Sequence, residues 1–141
     1  MAKTICKLLG VAFILVGILG FVAPGLLGLH LTLAHNLVHL VTGAVALYLG
    51  FSGTLAAARL FCIVFGLVYV LLGVAGYVVG KDQQHSAGLG VTHGGTDTNL
   101  LPVVSGAFEL ASMDHGVHIL LGLVFLIGGF LTKADVRRAV D

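Results

Sequence analysis

Four continuous apolar stretches, Leu8–Val22, His35–Phe51, Leu60–Gly80 and Gly116–Leu131, contain no Asp, Glu, Lys or Arg. With their flanks each approaches the roughly 20 residues needed to cross the hydrocarbon core of a bilayer. Spans are therefore predicted at about 6–23, 34–52, 59–80 and 114–132, with one long connection at about 81–113. The runs lack the alternation of barrel strands, so a transmembrane β-barrel is not expected. The predicted fold class is all-α: an integral membrane four-helix bundle in a single domain, 1–141. Composition agrees, because 58% hydrophobic against 9% charged residues is far from the balance of a soluble domain. The 21 glycines fit as well, since small residues let apolar helices approach closely in lipid.

An even number of spans places both termini on one side. Lys3, Lys7, Arg59, Lys133, Arg137 and Arg138 fall on that side and Lys81 alone on the other. The positive-inside bias then predicts a multi-pass protein of the cell (cytoplasmic) membrane with both termini cytoplasmic. The start resembles a signal peptide, with Lys3 and Lys7 before an apolar run ending at Ala23. Pro24 would follow the cut unfavourably, and the run matches a later span, so it counts as a helix of the mature protein.

That match belongs to an internal repeat. A shift of 79 residues lays His35-Asn-Leu-Val-His39-Leu-Val-Thr-Gly43 over Asp114-His-Gly-Val-His118-Ile-Leu-Leu-Gly122. A shift of 56 pairs Cys6 with Cys62, Gly10 with Gly66, Phe13 with Tyr69, Gly17 with Gly73 and Gly20 with Gly76. The shifts differ because the second unit carries about 23 extra loop residues. Each unit starts on the cytoplasmic side, so the two-helix repeats are parallel, about a pseudo-two-fold axis along the membrane normal. The glycine stripes, Gly10 with Gly17 and Gly66 with Gly73, are expected to be helix contacts. The long connection is polar and Gly-rich at first, then more apolar from Asn99. Its segment Ala107–Met113 aligns with Gly28–Ala34 and is expected at the outer interface, as a short helix or an extended lead. Lys133–Asp141 is expected to extend the last helix into the cytoplasm.

All seven histidines fall on or just inside the extracytoplasmic side. His35 and His39 are spaced i, i+4 on the second span, and His115 and His118 i, i+3 on the fourth, so each pair shares a helix face. If the pseudo-two-fold turns those faces inward, four imidazoles and the Asp114 carboxylate converge. His39 and His118 lie roughly 6–9 Å inside the apolar boundary at 1.5 Å per residue, where a polar side chain needs a partner. One reading is a structural polar network with Asn36, Thr42 and backbone carbonyls. A second is a divalent metal site of His35, His39, Asp114, His115 and His118, a donor set suited to zinc, copper or iron. A third is haem held between His39 and His118, beside Gly43 and Gly122. His85 and His93 read as solvated, and Glu109, which aligns with His30, as an interfacial group.

Cys6 and Cys62 sit at matching cytoplasmic ends, where a reducing compartment argues for packing rather than a disulfide. Nucleophile-plus-base motifs, phosphate-binding loops and Cys-x-x-Cys pairs do not occur. No charge lies near the bilayer midplane, which disfavours active transport, and Gly-seamed helices leave little room for a pore.

The paired motifs His35-Asn-Leu-Val-His39-Leu-Val-Thr-Gly43 and Asp114-His-Gly-Val-His118-Ile-Leu-Leu-Gly122, the latter preceded by Leu100-Leu-Pro-Val, resemble the domain-of-unknown-function family 4383. The opening Leu8–Val22 followed by Pro24 and Gly25 is similar to that family's first span, and the similarity covers most of the chain. The second motif differs in carrying Gly116 and Ile119 where the first has Leu37 and Leu40. The resemblance implies a small four-span prokaryotic membrane protein and supplies no catalytic residue. The sequence thus predicts a non-enzymatic accessory or structural membrane component with an outer-leaflet histidine cluster. The alternative is a metal- or haem-binding membrane protein using the histidines of spans 2 and 4. The cofactor is left unknown. The lipid bilayer is the expected partner, a second membrane protein and a divalent metal are candidates, and nucleic acid is not expected.

Overall fold

The computed structural model describes residues 1–84 and 96–133. Its element order is α1 (Ala2–Leu19), α2 (Leu33–Phe51), α3 (Leu55–Val79), β1 (Lys81–Gln84), β2 (Thr96–Val104), β3 (Phe108–Leu110) and α4 (Ser112–Leu131). The expectations for His85, His93 and the C-terminal helical extension lie outside the described residues, the extension from 134 onward.

Each of the four helices is long and apolar enough to cross a membrane, with 18, 19, 25 and 20 residues. Most of each helix faces outward and is apolar: Leu8, Leu15, Leu71, Leu120 and Phe130 are all more than half exposed. In water this would be a continuous hydrophobic surface far beyond what monomers carry. In lipid it is the ordinary outer face of a spanning helix.

Local chemistry sets the ends. α1 stops at Leu19, short of the expected Ala23, where the chain turns through Gly20–Ala23 and meets Pro24, which has no amide to continue a helix. A 3-10 turn at Leu26–Gly28 follows, with Leu27 at φ 55° and Gly28 at φ 77°. Thr32 caps α2 by accepting from the amide of His35 at 3.3 Å, and Thr54 caps α3 by accepting from that of Ala57 at 3.1 Å. Asp114 does the same work for α4 from inside its first turn, accepting from the amide of Ala111 at 2.8 Å. At the opposite end Thr132 Oγ1 donates to the Gly128 carbonyl at 2.6 Å and accepts from the Ala2 amide at 2.7 Å, tying the start of α1 to the end of α4.

α1 packs on α2 and α3 on α4 through glycine seams. A Cβ on Gly10 would meet Leu47, and one on Gly66 would meet Leu126; Gly43 lies against the carbonyl of Gly10, and Gly122 against that of Gly66. Gly17 fits Leu40 where Gly73 fits Ile119, and Gly20 accommodates the Asn36 side chain where Gly76 accommodates the His115 ring. Both sets of contacts stand at the same 56- and 79-residue offsets. Between the two helix pairs sits a narrow core of Cys6, Phe13, Ala46, Cys62, Tyr69 and Phe125.

The all-α expectation needs correction in the long connection, which forms a three-stranded antiparallel sheet in the order β1-β2-β3. Lys81 pairs with Leu100, and Leu101 with Leu110. The Ala107–Met113 segment, left open between helix and extended chain, contains strand β3 and the first residues of α4. A strand is favoured because Thr96–Val104 is rich in β-branched and aliphatic residues, while its proline bars helix and sits at a register shift between Pro102 and Val104. The sheet is pinned to α4 at Ser112, whose hydroxyl donates to the Thr98 carbonyl at 3.0 Å.

Candidate functional site

The polar chemistry gathers where α2 and α4 begin, beneath the sheet. With α2 capped at Thr32, His35 and His39 project from successive turns and stack, ring centroids 4.5 Å apart at 25°. His39 continues the stack onto Phe13 of α1 at 5.4 Å. From α4 the His118 ring comes to 5.8 Å from His35 and meets Tyr69 of α3 edge-on at 4.9 Å. Three imidazoles therefore come together, all of them buried.

His115 does not join them. Its Nε2 donates to the Asn99 carbonyl at 2.8 Å, and its ring sits over Gly76 and edge-on to Tyr77, between α3, α4 and β2. Asp114 lies beside the cluster, but its carboxylate is engaged by backbone, accepting from the amides of Ala111 at 2.8 Å and His30 at 3.0 Å. It is a tether between α4 and the chain that leads into α2. Among the described residues no group of three or more His, Cys, Asp or Glu side chains is arranged to hold a metal ion.

The three clustered rings face a cavity of about 470 Å³. Its walls are Ala12, Phe13 and Val16 of α1 and Val117 and Leu121 of α4, and Leu27, Leu29 and Met113 stand at its upper end. Leu27 and Met113 are exposed, which marks the mouth. The lining is almost wholly apolar, so the three rings face the cavity mainly through carbon. His35 Nδ1 lies 2.9 Å from the His30 carbonyl. Because a carbonyl only accepts, this nitrogen carries the proton and His35 Nε2 presents a lone pair. Nε2 is buried without a hydrogen-bond partner, as are Nδ1 of His39 and Nδ1 of His118. Buried polar atoms are nearly always satisfied, so three such atoms on one cavity call for an explanation.

A second polar group lies above. His30, buried, has Nδ1 3.2 Å from Asp97 of β2 and Nε2 3.7 Å from Glu109 of β3. The sequence pattern puts Glu109 at the interface and assigns Asp97 no role. The available signal was the 79-residue offset that superposes His30 and Glu109. Nothing in the linear pattern pointed to Asp97, which reaches His30 only through the strand pairing.

The fold and this site define a class: among the described residues, four helices each able to span a membrane, with an imidazole-lined apolar cavity at one end. Compared with protein-family models, curated proteins and solved structures, the chain matches none of them.

Proposed function

We propose that this is a non-enzymatic accessory protein of the cytoplasmic membrane whose outer-leaflet histidine cluster, His35, His39 and His118, is a binding centre. Three buried imidazoles share one apolar cavity with a ring nitrogen of each unpartnered, and that observation carries the reading. A purely structural network would spend those nitrogens on protein groups, since an unsatisfied buried donor or acceptor costs about 1–3 kcal/mol. The chain is read as two parallel two-helix repeats with both termini inside. The recurring glycine contacts support the repeat, and the excess of Lys and Arg on the terminal side supports the orientation. Membership of family 4383 is proposed on the paired His-bearing motifs and the opening Leu8–Val22 run with Pro24 and Gly25.

A metal is the second reading. It is favoured by the bond from His35 Nδ1 to the His30 carbonyl, the outer-shell arrangement that orients metal-binding histidines. His35, His39 and His118 would have to turn their rings to ligate it, since as placed they form no metal-holding group; His115 and Asp114 are committed elsewhere.

Detergent-purified protein tests both readings. Elemental analysis and visible absorption show whether a stoichiometric metal or haem is retained. His39→Leu and His118→Leu show whether the rings matter to the empty protein. Unaltered metal content together with a large loss of stability in both variants would return the cluster to a structural role. Single cysteines introduced at Lys81 and Lys133 test the orientation: an impermeant maleimide should label the first and not the second in intact cells.

A further inference from the structure

The cavity limits what could occupy it. Among the described residues that line it there is no Lys or Arg, so a phosphate or carboxylate head would find no counter-charge. Asp114 is the one formally charged lining residue besides the histidines, and its oxygens already accept from the amides of Ala111 and His30. Those amides already offset part of its charge, and the rest of the lining is neutral and apolar. A neutral head therefore suits this lining best.

Its polar atoms must answer imidazole. His35 Nε2 carries a lone pair, and His39 and His118 each hold an unpartnered ring nitrogen that donates or accepts according to tautomer; all three are covered in the empty protein, so the rings must turn to present them. A carbonyl or hydroxyl oxygen serves both roles. The stack of His35, His39 and Phe13, at 4.5 and 5.4 Å, suits a flat head. The remaining lining is aliphatic, and about 470 Å³ falls in the range of small-molecule sites, enough for a ring and the start of a chain.

The mouth adds an independent sign. Leu27 takes φ 55° and ψ 24°, left-handed backbone that costs a non-glycine residue about 1–2 kcal/mol. Its side chain is nonetheless 80% exposed at the rim, opposite the exposed Met113. A bulky apolar side chain held in a strained conformation, with no core to fill, is the kind of outlier that clusters at ligand clamps.

We propose that the cavity binds a neutral membrane lipid whose flat ring head carries carbonyl or hydroxyl oxygens and whose long apolar tail leaves between Leu27 and Met113, a prenyl quinone in chemical class. On binding, turns of the lining imidazoles bring their covered nitrogens to the ring oxygens, and the tail continues into the surrounding acyl chains. This rests on the cluster being a binding centre and specifies what it binds.

The test uses the full chain in phosphatidylcholine nanodiscs, titrated with a decyl-tailed benzoquinone and, separately, with decylbenzene. The quinone should raise the unfolding midpoint saturably, and the hydrocarbon, which lacks the oxygens, should not. His118→Leu should weaken the quinone effect at least tenfold. So should Ala12→Phe, which fills the cavity from α1 without touching an imidazole; Val117→Phe does so from α4 should the first variant fail to fold. Equal responses to quinone and hydrocarbon, or undiminished quinone binding in the filled variants, would overturn the proposal. If the quinone has no effect but zinc chloride stabilises the parent and not His39→Leu, the ligand class falls and the binding centre stands. If neither probe responds to any of these substitutions, both fall.

Discussion

Cys6 and Cys62 bring their sulfur atoms to 3.6 Å although 56 residues separate them, and neither residue is exposed. The separation equals the offset that superposes α1 on α3. Phe13 and Tyr69, 5.6 Å apart between ring centroids, meet at the same offset, and His30 and Glu109, 3.7 Å apart, meet at the other one. Three contacts thus join residues 56 or 79 apart, in a line from the cysteine end to the sheet.

Oxidation reads that line chemically. Copper-phenanthroline applied to membranes should join Cys6 to Cys62 within one chain, giving a single cross-linked peptide pair by mass spectrometry. An oxidised sample that still reacts fully with maleimide after denaturation would show that the thiols do not face each other.

The glycine seams predict matched costs. A valine at Gly43 would push into the Gly10 carbonyl and Ile14, and one at Gly122 into the Gly66 carbonyl and Val70. Backbone cannot yield as a side-chain tip does, so Gly43→Val and Gly122→Val should each destabilise by about 1–3 kcal/mol, as overpacking does. Unfolding in mixed detergent micelles measures this, and two unperturbed midpoints would contradict the close approach.

Asp114 and the cluster imidazoles should respond in opposite directions. Asp114→Ala leaves the amides of Ala111 and His30 without their acceptor, which should cost about 1–3 kcal/mol for each buried donor. His39→Leu removes a ring nitrogen that has no partner and sits among apolar side chains, so the ligand-free protein should keep or gain stability. Binding sites commonly trade stability for function in this way. The same unfolding assay decides, and a His39→Leu variant as unstable as Asp114→Ala would argue that the ring is structural.

Leu27→Gly isolates the strained rim. Glycine adopts φ 55° freely, so the variant should fold at least as stably as the parent while losing the side chain at the mouth. A large loss of stability would mean that Leu27 holds the 3-10 turn in place.

The four spans were legible because crossing a bilayer demands long uncharged apolar runs, a requirement written directly into the chain. The glycine stripes, Gly10 with Gly17 and Gly66 with Gly73, were legible as helix contacts, but their partners Gly43 and Gly122 appear only in the packed structure. Histidine placement was only half readable. Residues three apart on a helix differ by about 60° in direction at 3.6 residues per turn, so His115 and His118 share a broad face without sharing a neighbour. The missing Cβ of Gly76 and the carbonyl of Asn99 took His115 to one side, and the cavity took His118. Such choices depend on which surface stands opposite, and one helix's spacing carries no record of its neighbour. The sheet escaped for a related reason, since a strand exists only once another strand pairs with it. Sequence alone therefore determined the solvent this protein folds in and its four long apolar helices. Tertiary packing decided which polar side chains meet, because contacts between elements depend on rotation and approach that local pattern does not encode.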